Sequence, residues 1–196
     1  MSSYSELSDE AKEHAFSNFV AQGCWDDWYE SIYEYWIGKL EGLGIYTHTT
    51  EIKFSGFHSQ GDGASFTGSI NLKEFLEAHP EILRQHVNLY MAVVPFDTGS
   101  EDYCEYYDVA LTRLSNNYCH ENTVHLGNWY LTCDINRRGY FEGLMADAWA
   151  DIEEQCREYM RQLYKDLEAE HDYQQSMEAF LEVAPYQDFN ALGDLA

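Results

Sequence analysis

Positive charge is scarce in this chain. Its 196 residues hold 11 lysines and arginines against 35 aspartates and glutamates, a formal net charge of −24. The only adjacent basic pair is Arg137–Arg138. Neutralising nucleic-acid phosphates takes clustered cations, so direct nucleic-acid binding is not expected. Cysteine pairs are also missing: Cys24, Cys104, Cys119, Cys133 and Cys156 are odd in number, scattered and without a CxxC. That pattern reads as reduced thiols in a cytoplasm. No apolar run approaches the roughly 18 residues that span a membrane, and the acidic, amphipathic start MSSYSELSDEAKEHAF reads as neither signal nor transit peptide. Neither GxxxxGK[ST] nor GxGxxG occurs. There is no internal repeat and no low-complexity linker.

Core-forming material is plentiful: 45% hydrophobic and 16% aromatic residues, including 16 tyrosines and 5 tryptophans. This composition argues against disorder, and the amphipathic aromatics suit interfaces. The length fits one domain. The charge far exceeds the magnitude of roughly 2–8 that keeps a small domain soluble, and self-repulsion makes the excess costly. Two explanations stand. One is a plain solvated acidic surface, as in a high-salt host. The other is selection for a basic partner, or for resembling a polyanion.

The patterning predicts an α+β fold in a single domain spanning 1–196. Residues 1–44 read as helical, 45–135 as mainly β-hairpins with intervening helices, 140–185 as helical, and 186–196 as an irregular tail. Ser8 opens a helix to about residue 21, stopped by Gly23. Trp25, Trp28, Tyr29, Ile32, Trp36, Leu40 and Leu43 form the stripe of a second helix, ended by Gly42 and Gly44. TEIKFSGF and ASFTGSI predict a hairpin across SQGDGA. NLKEFLEA and EILRQHVNLYMAVV read as two helices, and PFDTGSED (95–102) as a loop. YYDVALTRLS and TVHLGNWYLTC predict a second hairpin across NNYCHEN, the two hairpins forming an antiparallel sheet, and NRRGY (136–140) a break. A long helix over about 143–170 carries Leu144, Ala148, Ile152, Cys156, Tyr159, Leu163 and Leu167 on one face, and SMEAFLEVA is a short last helix before Pro185.

Two acidic groups are candidates for binding a partner. Asp26, Glu30 and Glu34, with Asp27, lie at four-residue steps opposite the tryptophan stripe. Asp147, Asp151, Glu154 and Glu158 repeat the arrangement on the long helix. Like charges at i, i+4 weaken a helix by a few tenths of a kcal/mol per pair, so helix stability alone would not select them. A solvated face is the simpler reading of either group.

The turn around Gly61-Asp62-Gly63 has two readings: a hairpin connection in which Asp62 bonds the backbone, or a loop presenting His58, Gln60 and Asp62 to a ligand. Tyr118, Cys119, His120 and His125 raise metal or acid–base chemistry. Paired zinc ligands are missing, and adjacent strand residues point to opposite faces, so no metal and no cofactor are expected. A nucleophilic Cys–His pair lacks a local signature.

The run Ile52-Lys53-Phe54-Ser55-Gly56-Phe57-His58-Ser59-Gln60-Gly61-Asp62-Gly63-Ala64-Ser65-Phe66-Thr67-Gly68 resembles the signature of small acidic proteins encoded by tailed phages. That family is often labelled "antitoxin of toxin–antitoxin stability system". The likeness continues through Arg113, Tyr118, His120 and Thr123-Val124, and through Tyr164, Leu167-Glu168, Glu170 and Tyr173. His58 stands where the pattern has Trp or Ser. The resemblance implies phage origin and expression in a bacterial cytoplasm.

The leading expectation is a non-enzymatic inhibitor that mimics DNA or RNA and binds a basic host protein, a nuclease or nucleic-acid-binding defence complex of anti-restriction or anti-CRISPR type. An antitoxin-like protein masking a basic toxin is the alternative. A small hydrolase or nucleotide-binding protein built on His58, Asp62, His120 and His125 is the second. A homodimer is compatible with each.

Overall fold

The computed structural model describes residues 2–24, 26–93, 107–114, 118–131 and 135–196. The predicted loop 95–102, Trp25, Cys104 and Cys133 lie outside them, as does part of the NNYCHEN connection. The fold is α+β, with antiparallel sheets of four and two strands, a long C-terminal helix and a short last helix. It divides into two compact units: Met1–Ser31 with Asp166–Ala196, and Ile32–Lys165.

In the first unit, α1 (Asp9–Gln22) starts where Ser8 Oγ accepts the Ala11 N–H at 3.2 Å and ends at Gly23, whose φ of 76° a side chain would resist. The last helix, α7 (Met177–Val183), has the same kind of start, with Ser176 Oγ accepting from Ala179 N. Leu7, Ala11, Ala15, Phe180, Ala184 and Phe189 form the core, flanked by Tyr4, Phe16 and Phe19. Phe180 takes an edge-on contact from Tyr4 at 5.2 Å, a geometry the ring quadrupoles favour. The tail is held through an antiparallel bridge between Ser2 and Phe189 and a second between Phe189 and Leu195.

The second helix is shorter than its stripe suggested. α2 runs Glu30–Glu41, and Asp26 to Tyr29 form a turn before it. Asp26 therefore does not share a helical face with Glu30 and Glu34.

In the second unit, β1 (Ile45–Tyr46) pairs with β4 (Gly68–Asn71), β4 with β5 (Tyr107–Arg113), and β5 with β6 (Val124–Leu131), all antiparallel. β2 (Ile52–Phe54) and β3 (Ala64–Phe66) make the separate two-stranded sheet. ASFTGSI is thus two strands in two sheets, parted at Thr67. Gly68, at φ 153°, follows the break, and a Cβ there would collide with the Tyr46 carbonyl. α3 (Leu72–Ala78) is capped by Asn71 Oδ1 on Glu74 N. The single helix expected over 81–94 is two, α4 (Pro80–Gln85) and α5 (Val87–Val93), divided at His86, where φ −117° and ψ 40° leave the helical region.

The long helix, α6, spans Ile135–Gln174, 40 residues. NRRGY was expected to break the chain and instead lies inside its first turns. Ala148, Ile152, Cys156, Tyr159, Leu163 and Leu167 are buried, as the stripe required, whereas Leu144 at its start is half-buried. Trp36, Leu40, Phe66, Ile70, Phe75, Val109 and Leu111 are among the residues buried from the other helices and the two sheets.

Candidate functional site

The loop between β2 and β3 is built by its own side chains. Asp62 Oδ2 accepts the backbone N–H groups of His58 at 3.0 Å and Ser59 at 2.6 Å. Asp62 N in turn donates to Ser59 O at 3.1 Å. Gly61 sits at φ 97°, which glycine adopts without penalty. Ser55 closes the neck, its N–H donating to Gly63 O and its Oγ accepting from Gly63 N. Phe57 stacks on Phe54 at 5.8 Å and meets Tyr164 at a tilt at 5.4 Å, and the Tyr164 hydroxyl donates to Gly56 O at 3.0 Å. These tasks occupy Ser55, Phe57, Gly61 and Asp62. His58, Ser59 and Gln60 are left exposed.

The β5–β6 connection lies against this loop. A Cβ on Gly63 would stand 3.1 Å from His120 Cα and 3.2 Å from its Cδ2, so the two loops meet where only glycine leaves room. Below the tips, the Arg113 guanidinium donates to Ser65 Oγ at 3.0 and 3.2 Å, tying β5 to a fully buried serine of β3. Thr123 Oγ1 donates to His120 O at 2.7 Å, and Leu114 N donates to Thr123 O at 2.9 Å. The structure therefore gathers His58, Gln60, Asp62, Tyr118 and His120 at one end of the hairpins. Leu114, which the sequence reading passed over, is 76% exposed, and Tyr118 is 63% exposed.

The acids of α6 are less bare than their spacing suggested. Arg161 reaches Glu154 at 2.6 Å, Glu158 at 2.8 Å and Glu121 at 3.9 Å. The Gln162 amide together with Arg161 holds Glu158 below the usual carboxylate range. Arg157 bonds Glu153 and lies 3.8 Å from Glu154. Glu153 is nearly buried because its other oxygen accepts the Leu126 N–H at 3.1 Å, a bond that fixes α6 to β6. Asp151 meets His86 Nε2 at 2.7 Å. His120 Nδ1 lies 2.9 Å from the Glu121 carboxylate, so the loop tips and the α6 network are continuous. The signal for Glu153, Arg157 and Arg161 was present in sequence as Glu–Arg pairs at i, i+4 and i, i+3.

Asp26, Asp27, Glu30 and Glu34 present the opposite picture. All four are exposed, and none makes an ion pair among the described residues. Asp147 on α6 is likewise exposed and makes no ion pair among the described residues.

Of the four residues of the enzyme reading, His58, Asp62 and His120 lie at the meeting loops, and His125 lies on β6. Asp62 caps its turn, His58 is exposed, His120 packs on Gly63, and His125 Nδ1 lies 3.6 Å from Glu153. Among the described residues, no three His, Cys, Asp or Glu side chains are placed to hold a metal ion, and no helix is long and apolar enough to cross a membrane. Cys24, Cys119 and Cys156 are free thiols. A cleft of about 350 Å³ in the first unit, between α1 and the tail, lies over Phe180 and Phe189. Both rings are 1% exposed, so its floor is core already packed.

A search of curated proteins and a search of solved structures each gave no match. A family model does match, over residues 28–177, which takes in α2, both sheets and all of α6. The chain belongs to that family, the domain of unknown function DUF8835.

Proposed function

We propose that this protein acts by binding a basic macromolecule, as a phage-encoded inhibitor that occupies the nucleic-acid channel of a host defence protein in place of DNA or RNA. One observation carries the reading. In a chain at −24, Asp26, Asp27, Glu30 and Glu34 stand exposed and make no ion pair among the described residues, whereas most of the matching acids on α6 are held by arginine or histidine. Unpaired like charges at Glu30 and Glu34 cost helix stability, so a benefit outside the fold explains them better than one inside it. A field of this sign speeds encounter with a basic channel, and salt weakens it because the Debye length is only about 10 Å at 0.1 M.

The test is capture from bacterial lysate on the immobilised chain at low salt, elution by salt, and identification by mass spectrometry. The reading expects a basic protein whose nucleic acid and this chain displace one another. Recovery of a small toxin without a nucleic-acid site would favour antitoxin-like masking instead. A complex insensitive to salt would contradict both.

A further inference from the structure

Resting on that reading, we propose that the basic partner is gripped at α7, where it lays a cationic amphipathic helix of its own along Met177, Leu181 and Pro185. The residues that argue for this all lie in the first compact unit.

The fold uses one side of α7 and of the 3-10 turn that continues it, Ala184–Tyr186. Ala179, Phe180 and Ala184 are buried, and the Phe180 ring is packed by Tyr4, Phe16 and Phe19 at 5.2, 5.7 and 5.3 Å. On the other side Met177, Leu181 and Pro185 follow at four-residue steps and are exposed, the first two at 42% and 46%. Glu178 and Glu182, one residue on, form an acidic row that is also exposed. Helical geometry sets rows of this spacing side by side.

The acidic row has no cation beside it. The Tyr173 hydroxyl, at the end of α6, donates to Glu182, and the carboxylates of Glu182, Glu178 and Glu170 push its pKa up. None of these three glutamates makes an ion pair among the described residues. The cations of the unit are engaged elsewhere. Lys12, its single lysine in the absence of any arginine, meets Asp9 at 4.0 Å and the Tyr4 ring, while His14 faces Asp194 and His171 faces Asp172. Lys165 stands more than two helical turns before Tyr173 on α6.

An apolar row beside an acidic one is the complement of a helix with aliphatic residues on one face and lysine or arginine a step round it. The apolar contacts then supply retention, and the carboxylates supply orientation and encounter. Nucleic acid and a second copy of this chain both bring the wrong sign.

The probe is a synthetic peptide of leucine and lysine, about 18 residues long so that it can hold a helix, patterned with leucine on one face. Its control is a scrambled isomer of identical composition and charge. Both are titrated into the full chain and followed by heteronuclear NMR. The expected result is at least tenfold tighter binding of the patterned peptide, with amide shifts concentrated over residues 173–186. Met177→Ser combined with Leu181→Ser should abolish that preference while the thermal midpoint and the affinity for the scrambled isomer stay unchanged. Glu178→Gln combined with Glu182→Gln should weaken the patterned peptide and flatten its salt dependence. Equal affinity for the two peptides, or shifts centred on residues 26–34, would overturn the docking face and leave the partner reading standing. Recovery of no basic protein from lysate, with the peptide preference intact, would instead overturn the partner reading and leave α7 as a site for basic helices.

Discussion

Arg161 lies 2.6 Å from Glu154, seven residues back along α6, and through that contact one of the few cations in the chain gathers three carboxylates. Side-chain hydroxyls extend the supply of donors elsewhere. Tyr46 donates to Glu74 at 2.5 Å, which pushes its own pKa up to about 12, and Tyr90 donates to Glu77 at 2.9 Å. In a chain with 35 acids and 11 lysines and arginines, tyrosine does part of the work that lysine does in an ordinary surface.

The two arginines of α6 should differ in weight. Arg161 and its partners are substantially solvated, so Arg161→Gln should cost only about 0.5 kcal/mol, and less in 1 M salt. Arg157→Met leaves the nearly buried Glu153 with the Leu126 N–H and with His125 Nδ1 at 3.6 Å, and the poorly compensated charge should cost about 2–3 kcal/mol. Urea denaturation of both variants at low and high salt checks the order.

At the hairpin tips, Gly61→Ala and Gly63→Ala should both destabilise, for different reasons. Gly61 has open space around it and loses about 1 kcal/mol to its positive φ. Gly63 loses about 1–2 kcal/mol to overpacking against His120. Only Gly63→Ala should shift the amide resonances of residues 118–123 in a heteronuclear NMR spectrum.

His79 should make stability fall in mild acid. Its Nδ1–H donates to Phe75 O and its Nε2 accepts from the Tyr159 hydroxyl, each at 2.5 Å, inside the core. Burial lowers its pKa below the ordinary 6.5. Below about pH 6.5 the unfolded chain therefore takes up a proton that the folded chain refuses. The stability is whole above that pH and is lost as pH falls. Urea midpoints at pH 7.5 and 5 should fall less for His79→Gln than for the parent chain, and an equal fall would contradict this.

Cys156 should be inert until the chain unfolds. Full burial pushes its thiol up to about 12, and the thiolate is the reactive form. Iodoacetamide at pH 8 should leave Cys156 unmodified in the native protein and alkylate it in 6 M guanidinium, read by peptide mapping.

Legibility in the sequence followed how local each cause is. Ser8 and Gly23 marked both ends of α1, because caps and positive-φ glycines act within a turn. The buried face of α6 was readable because helical period alone sets it. The division of ASFTGSI was not, since it depends on Tyr46 lying against Gly68 from a distant strand. The start of α2 at Glu30 was hidden because the aromatic residues before it keep helical spacing while the backbone makes a turn. Acidic spacing identified the α6 carboxylates but not their state, which Arg157, Arg161 and His86 decide. Asp62 was readable as a turn-builder. The meeting of its loop with His120 belongs to tertiary structure alone.

The most direct measurement is the association rate with the captured partner, across ionic strengths, for the parent chain and for the variant Asp26→Asn, Asp27→Asn, Glu30→Gln, Glu34→Gln. If these exposed carboxylates recruit a basic surface, the variant should associate at least tenfold more slowly at low salt and with a shallower salt dependence, while remaining as stable as the parent or slightly more so. An association rate equal to the parent's at every salt concentration would contradict recruitment by these charges.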